Sequence, residues 1–293
     1  MARNVIDYRG WVARQRNLES QLAAARENLR LIALQRQAGE ISDSELNQAS
    51  ASVASLQAAL PALQTAQGAA VAALSVLLDQ SQAQLLATLA AERPIPATLT
   101  QAPVGMPADL LRRRADIRQA ERELAAATAD IGVAVAEQYP RLVLVGSGGW
   151  DSIHEGSLTA AASRFWNVGP QLSLPLFTGG RLKNQVTARE AARDAALVVY
   201  RQKVLTALAD TETALLRYQQ EAQRQQALQS ALQLAGRQLE IARQRYHVGE
   251  AAQTEVLSQQ QAEAQQREAW LASRQAQAEN LVALFKTLGG DVR

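Results

Sequence analysis

Two histidines, His154 and His247, and two glutamates that follow glycine turns, Glu45 and Glu255, carry the side chains whose chemistry bears weighing first in this 293-residue chain. A metal centre needs three or four ligands at close range. His154 falls in a polar loop and His247 at a helix turn, so each imidazole reads as solvated and no metal site is expected. Cys is absent, which removes thiolate ligands, disulfides and a thiol nucleophile together. There is no Gly-rich phosphate loop, nucleophile elbow or convergent carboxylate pair. The run Gly146-Ser147-Gly148-Gly149 lies inside a strand pattern, where glycines permit bending or close packing. An enzyme is therefore not expected, and no cofactor is implied. Glu45 and Glu255 each fall in the first turn of a helix, where the dipole favours a carboxylate whatever else it does.

The glycines that precede them are more telling. Gln37-Ala38-Gly39-Glu40 recurs as His247-Val248-Gly249-Glu250 exactly one period of 210 residues later. The same offset pairs Leu29 with Leu239, Glu45 with Glu255, Ala62 with Ala272, Gln67 with Gln277, Leu74 with Leu284 and Leu78 with Leu288, without a gap. A helix, turn, helix unit has been built twice. Aromatic residues make up only 4% of the chain, while Ala, Leu, Gln, Glu and Arg, the good helix formers, dominate. This composition predicts a mainly α protein with long helices and thin apolar seams. A net charge of +2 over interleaved Arg and Glu, despite a pI near 9.1, gives no basic face for nucleic acid. Met1 to Gly10 carries Arg3, Asp7 and Arg9 with no apolar run behind them, so no export signal is read there. No uncharged stretch is expected to reach the 18 or so residues of a spanning helix.

The elements that position these residues follow from pattern. Residues 1–79 read as a partial first repeat: a helix from Arg3 to Ala38, a turn at Gly39, and a return helix from Ser42 or Ser44 to Leu78, bent at Pro61. Residues 80–106, with Pro94, Pro96, Pro103 and Gly105, read as a linker. Residues 107–293 read as the second repeat. It begins with a helix over 107–138, with Pro107 and Asp109 in favoured first-turn positions and Arg112, Arg113 and Arg114 on a solvated charged face beside Asp109, Asp116 and Glu121. The period then changes to two. Arg141–Gly149 and Val168–Phe177 predict a β-hairpin over 140–177, each strand near the 9–11 residues that cross a bilayer when tilted. Trp150, Phe165 and Trp166 share one end, where a membrane girdle would lie. From Arg181 to Val248 no proline intervenes, predicting a rod of roughly 100 Å at 1.5 Å per residue. Leu228, Leu232, Ala235, Leu239, Ala242 and Tyr246 form a coiled-coil seam, and Ala227, Leu234, Ile241 and Val248 form a second row beside it. A tip at Gly249 and a return helix over 254–288 complete the unit. That return helix and the 107–138 helix, of roughly 50 and 48 Å, would together line the long rod.

Four segments carry a family resemblance: Met106-Pro107-Ala108-Asp109-Leu110-Leu111-Arg112-Arg113-Arg114-Ala115-Asp116-Ile117, the strand and turn Gly169–Leu182 (GPQLSLPLFTGGRL), the tip Arg245–Glu250 (RYHVGE), and the end Leu281–Gly290 (LVALFKTLGG). With them the chain resembles the TolC-like outer-membrane efflux protein family, in particular its drug-efflux lipoprotein branch, from near Arg3 to the C-terminus. The resemblance implies long antiparallel coiled-coil helices forming a share of a periplasmic α-barrel, and one transmembrane β-hairpin contributing to an outer-membrane β-barrel. It implies a homotrimer, a periplasmic adaptor (membrane fusion protein) and an inner-membrane efflux pump as partners, outer-membrane lipid around the strands, and passive conduction of small molecules such as drugs. Relative to the family, the chain reads as the C-terminal portion of a member, without the export signal, lipidated Cys, first hairpin and early helices. By the same resemblance, Glu45, Tyr246, Glu255 and Ser258 are tip or gate residues, with Ser258 where the family often has a carboxylate. Arg36, Gly39, Arg245, Val248 and Gly249 are adaptor contacts. The competing readings are a soluble or periplasmic coiled-coil adaptor or scaffold, and a truncated fragment with no function of its own. Trp-bounded alternating strands of membrane length discriminate against an adaptor.

Overall fold

Ala-, Leu- and Gln-rich stretches without interior breakers become helix, and in a computed structural model, which describes residues 1–39, 41–90, 94–96, 114–151 and 164–290, helix takes up most of the chain. Helices α1 (Ala2–Gln37) and α2 (Asp43–Leu78) form the first hairpin, and α3 (Gln82–Leu89) follows at once. Then come α4 (Ala115–Ala136), strands β1 (Arg141–Trp150) and β2 (Arg164–Ser173), the 67-residue α5 (Arg181–His247) and α6 (Gln253–Thr287).

The expected boundaries shift in four places. The segment read as a linker contains α3, because Ser81 closes a capping box with Gln84 and so supplies the helix start that a Pro-rich stretch lacks. The helix expected from Pro107 begins at Ala115, where Arg114 (φ −62°, ψ 133°) is still extended; Pro107 to Arg113 lie outside the described residues. The second strand runs from Arg164 to Ser173 instead of 168–177, so Leu174, Leu176 and Phe177 fall beyond the ladder, alongside Pro175, which has no N–H to give it. Finally, the expectation of no long uncharged stretch fails: Leu46 to Leu78 carries no Asp, Glu, Lys or Arg, and α2 is by length and composition apolar enough to cross a membrane. The helix runs on through Pro61.

The chain divides into two compact units. One comprises Met1–Pro107 and Ala209–Arg293. Its apolar contacts are small. Ile6, Ile95 and Ala278 pack with Val282, and Val71, Leu74 and Leu85 pack with Val5, Tyr8, Leu78 and Leu89. Between them the helices meet through buried polar groups. Asn17 donates to the Ala264 carbonyl at 3.5 Å, Ser273 Oγ donates to Glu221 at 2.5 Å, and Gln275 is 6% exposed. Gln275 Nε2 donates to both Asp7 (3.2 Å) and Glu279 (3.0 Å), which ties α1 to α6, and its side chain lies against the Cα of Gly10. Burial first, and the nearby Asp7 carboxyl second, hold the Glu279 carboxyl above its usual range.

The other unit is Ala108–Leu208. Arg114 grips Asp116 (2.8 Å) and donates to the Ala207 carbonyl (3.4 Å), so the Asp116 carboxyl is held below the usual range by that guanidinium. Gln185 to Glu137 (2.9 Å) and Arg189 to Asp130 (3.5 Å) join α5 to α4 and the turn after it. Strands β1 and β2 pair antiparallel along their whole length, from Arg141 opposite Ser173 to Trp150 opposite Arg164.

Candidate functional site

The two glycine turns share one backbone design. Gly39 and Gly249 both sit at φ +78°, a region that an L side chain enters only under strain, and each is the residue that lets a helix reverse. The hydrogen bonds repeat as well: Ala38 N to Leu34 O and Gly39 N to Arg36 O in the first turn, Val248 N to Gln244 O and Gly249 N to Tyr246 O in the second. All four pairs differ by the same period of 210. It extends to the far ends of the return helices, where Asp79 (φ +51°) matches Gly289 (φ +95°).

The side chains diverge on this common frame. In the first turn Arg36 bonds Asp43 at 2.5 Å, and that contact holds the Asp43 carboxyl below and the Arg36 guanidinium above their ordinary ranges. In the second, the positions equivalent by repeat are Tyr246 and Gln253, joined by a neutral hydrogen bond at 3.2 Å. Glu45 turns back onto its own helix start, accepting from Ser42 N at 3.0 Å in a capping box. The residue equivalent to Ser42 is Ala252, which offers no such oxygen. Glu255 instead accepts from Arg245 across the turn at 2.6 Å, while Arg245 also donates to the Glu250 carbonyl. Ser258 is exposed one turn further along α6, and Val248 is exposed. The structure thus gathers Arg36, Gly39 and Glu45 at one turn and Arg245, Tyr246, Val248, Gly249 and Glu255 at the other. Asp43 and Gln253 were missed, although their common offset from Arg36 and Tyr246 marked them.

The hairpin sorts its residues by register, since residues directly opposite one another in an antiparallel ladder share a face. One face carries Leu142 with Leu172, Leu144 with Pro170, Gly146 with Val168, Gly148 with Trp166, and Trp150 with Arg164. The other carries Arg141 with Ser173, Val143 with Gln171, Val145 with Gly169, Ser147 with Asn167, and Gly149 with Phe165. The first is almost wholly apolar and exposed, Leu144 and Trp166 at 76% and 78%. The second is polar, and Asn167 accepts from both the backbone and the hydroxyl of Ser147 (3.0 and 2.6 Å). Trp150 and Trp166 lie on the apolar face, but Phe165 lies on the polar one, so the three aromatics expected to act together are split. Alternation put them at one end; only the register could tell their sides apart.

On α5 the seam residues Leu239 and Ala242 are buried, whereas Leu234, Ile241 and Val248 of the second row are exposed, Leu234 at 59%. His247 stacks at a tilt beside Tyr246, and among the described residues no cluster of three or more His, Cys, Asp or Glu could hold a metal. His154 lies outside the described residues.

Comparison with known proteins matches residues 106–290 to the family model described as "Outer membrane efflux protein". The chain is similar to the pyoverdine export outer membrane protein OpmQ of Pseudomonas aeruginosa, 32% identical over 280 residues, covering 94% of this chain and 57% of that protein. It is likewise 32% identical to the toluene efflux pump outer membrane protein TtgF of Pseudomonas putida, covering 97% of this chain and 59% of the relative. Among solved structures, the outer-membrane channel OprN superposes with a TM-score of 0.85 at 31% identity, over 99% of this chain and 65% of that one. The chain thus spans a little over half the length of the curated relatives it matches. Repeated glycine turns, a two-faced hairpin and these matches agree: the chain belongs to the outer membrane efflux protein family.

Proposed function

We propose that this protein is a subunit of an outer-membrane exit duct in a tripartite efflux system, a passive conduit for small molecules such as drugs, driven by an inner-membrane pump. The observation that carries this reading is the hairpin's division into an exposed apolar face ending in Trp150 and Trp166 and a polar face bonded through Ser147 and Asn167. A sheet of this kind is stable with lipid on one side and water on the other, as in a closed barrel wall. Names of the relatives, which include pyoverdine export and toluene efflux, support a small-molecule cargo. Three copies of the intact protein would close the barrel, this hairpin supplying part of its wall, with the exposed row Leu234, Ile241 and Val248 meeting the neighbouring copy in a helical tunnel that extends into the periplasm.

In this reading the turns at Gly39 and Gly249 face the periplasmic adaptor, with Arg36, Arg245 and Val248 available to it. Glu45, Tyr246, Glu255 and Ser258 belong to the tip that opens. Glu255 acts there as half of a clip with Arg245, closing its own hairpin, and Trp150 and Trp166 form the girdle. The test is complementation: cells lacking their own duct, supplied with the intact protein and its pump and adaptor, should accumulate less ethidium than cells carrying an empty vector. Equal accumulation, with the protein present in the outer membrane, would count against it.

A further inference from the structure

Phe165 has the wrong surroundings for a membrane anchor. It is the one aromatic on the polar face of the described hairpin, at the end farthest from α4 and α5, and it is 47% exposed. Its partner across the ladder is Gly149, and the ring lies over that residue: a Cβ on Gly149 would come within 3.2 Å of Phe165 Cε1 and 3.4 Å of Cζ. One edge of the ring therefore meets bare backbone, and about half of the side chain is exposed. On the same face, Ser147 donates its backbone N–H and its hydroxyl to Asn167 Oδ1. Val145 is the nearest other exposed apolar side chain on this face among the described residues, two positions beyond Ser147.

We propose that Phe165 is a binding station for aromatic small molecules, cationic ones foremost, on the water-facing side of the barrel near its outer mouth. This rests on the duct reading above. A half-exposed ring offers stacking to another ring, and its negative face attracts a cation. The trimer would bring three such rings to one rim. Cargo bearing aromatic groups would pause there on its way out, while aliphatic cargo of the same charge would not.

None of these 293 residues is a Cys, so an introduced thiol is the only one among them. In intact cells, N167C and V168C are each labelled with a membrane-impermeant thiol reagent, because Asn167 shares Phe165's face about 7 Å along the strand and Val168 lies on the opposite one. Fast labelling of N167C and slow labelling of V168C are expected; equal rates would sink the duct reading itself. Tetraphenylphosphonium should then protect N167C, and in F165A or F165L the concentration needed should rise by about three- to tenfold. F165L keeps the bulk without the ring, so a folding defect in F165A does not decide the matter. F165W should restore protection, and tetraethylammonium should protect little throughout. Protection that is unchanged in F165L, or matched by tetraethylammonium, overturns the assignment of Phe165 while leaving the duct reading in place.

Discussion

Replacing Gly10 with alanine should destabilise the helical unit, although the substitution favours a helix. An alanine Cβ at this position would lie 2.2 Å from Gln275 Oε1 and 2.8 Å from its Cγ, so the glutamine must swing away. It can do so only by releasing Asp7 and Glu279, both of which it now binds through Nε2. Two hydrogen bonds to charged, partly exposed partners contribute about 3 kcal/mol together, taking about 1.5 kcal/mol for each. Alanine returns about 1 kcal/mol over glycine in helix propensity. The net is a loss of about 2 kcal/mol, roughly thirtyfold in the folding equilibrium. Denaturant unfolding of the purified protein followed by circular dichroism measures it, and hydrogen exchange at the start of α1 localises it. The decisive arm is the second background. In Q275A the obstacle is gone, so the same Gly10→Ala change should turn stabilising, by up to about 1 kcal/mol. If Gly10→Ala has the same sign and size in both backgrounds, Gln275 is not packed against Gly10 and the reasoning fails.

Two carboxylates should respond to pH in opposite senses. Glu279 is raised in the folded state, so the joint between α1 and α6, which Asp7, Arg3 and Gln275 face, is strongest in acid and loosens as pH rises through Glu279's folded value; amide protection factors at α1, corrected for intrinsic exchange, should fall as pH rises. Asp43 is lowered, so its tie to Arg36 is present above the ordinary Asp range and lost as pH falls through the folded value, and Asp43→Asn should remove that acid dependence from the first turn. Ala252→Ser should supply the side-chain cap that α6 lacks and stabilise its start by about 1 kcal/mol, read by denaturant unfolding followed by circular dichroism. On the hairpin, Leu144→Arg should cost about 2–4 kcal/mol of membrane stability while Val145→Arg, on the other face, should be tolerated; equal defects in urea-driven unfolding from vesicles would refute the assignment of faces.

What could be read from the chain and what could not divide along physical lines. The turns were legible because only glycine sits easily at φ +78° and because the period of 210 carries Gly39 onto Gly249. The long α5 was legible from an unbroken run of helix formers. The start of α4 was not, since Pro107 and Asp109 suit a helix start wherever the helix begins. The end of β2 was not, since alternation continues through Leu174 and Leu176 after the ladder has stopped. Pairings beyond the local pattern were out of reach: nothing local says that Gln275 fills the space above Gly10, or that Glu255 pairs with Arg245 across the second turn. The side on which Phe165 falls depended on register, which a one-residue slip would have reversed.

The uncharged run of α2 has a bearing on biogenesis. A chain bound for the outer membrane passes first through a translocon that samples each segment for release into lipid. Leu46 to Leu78 offers that machinery a span-length stretch with no charge to veto it. What counsels passage is dilution: alanine in place of leucine, glutamines and serines at close intervals, and Pro61 at the middle, each lowering the gain from lateral exit. Exchanging a few of those alanines for leucine would leave the folded hairpin's charge untouched yet risk stranding the nascent polypeptide in the inner membrane.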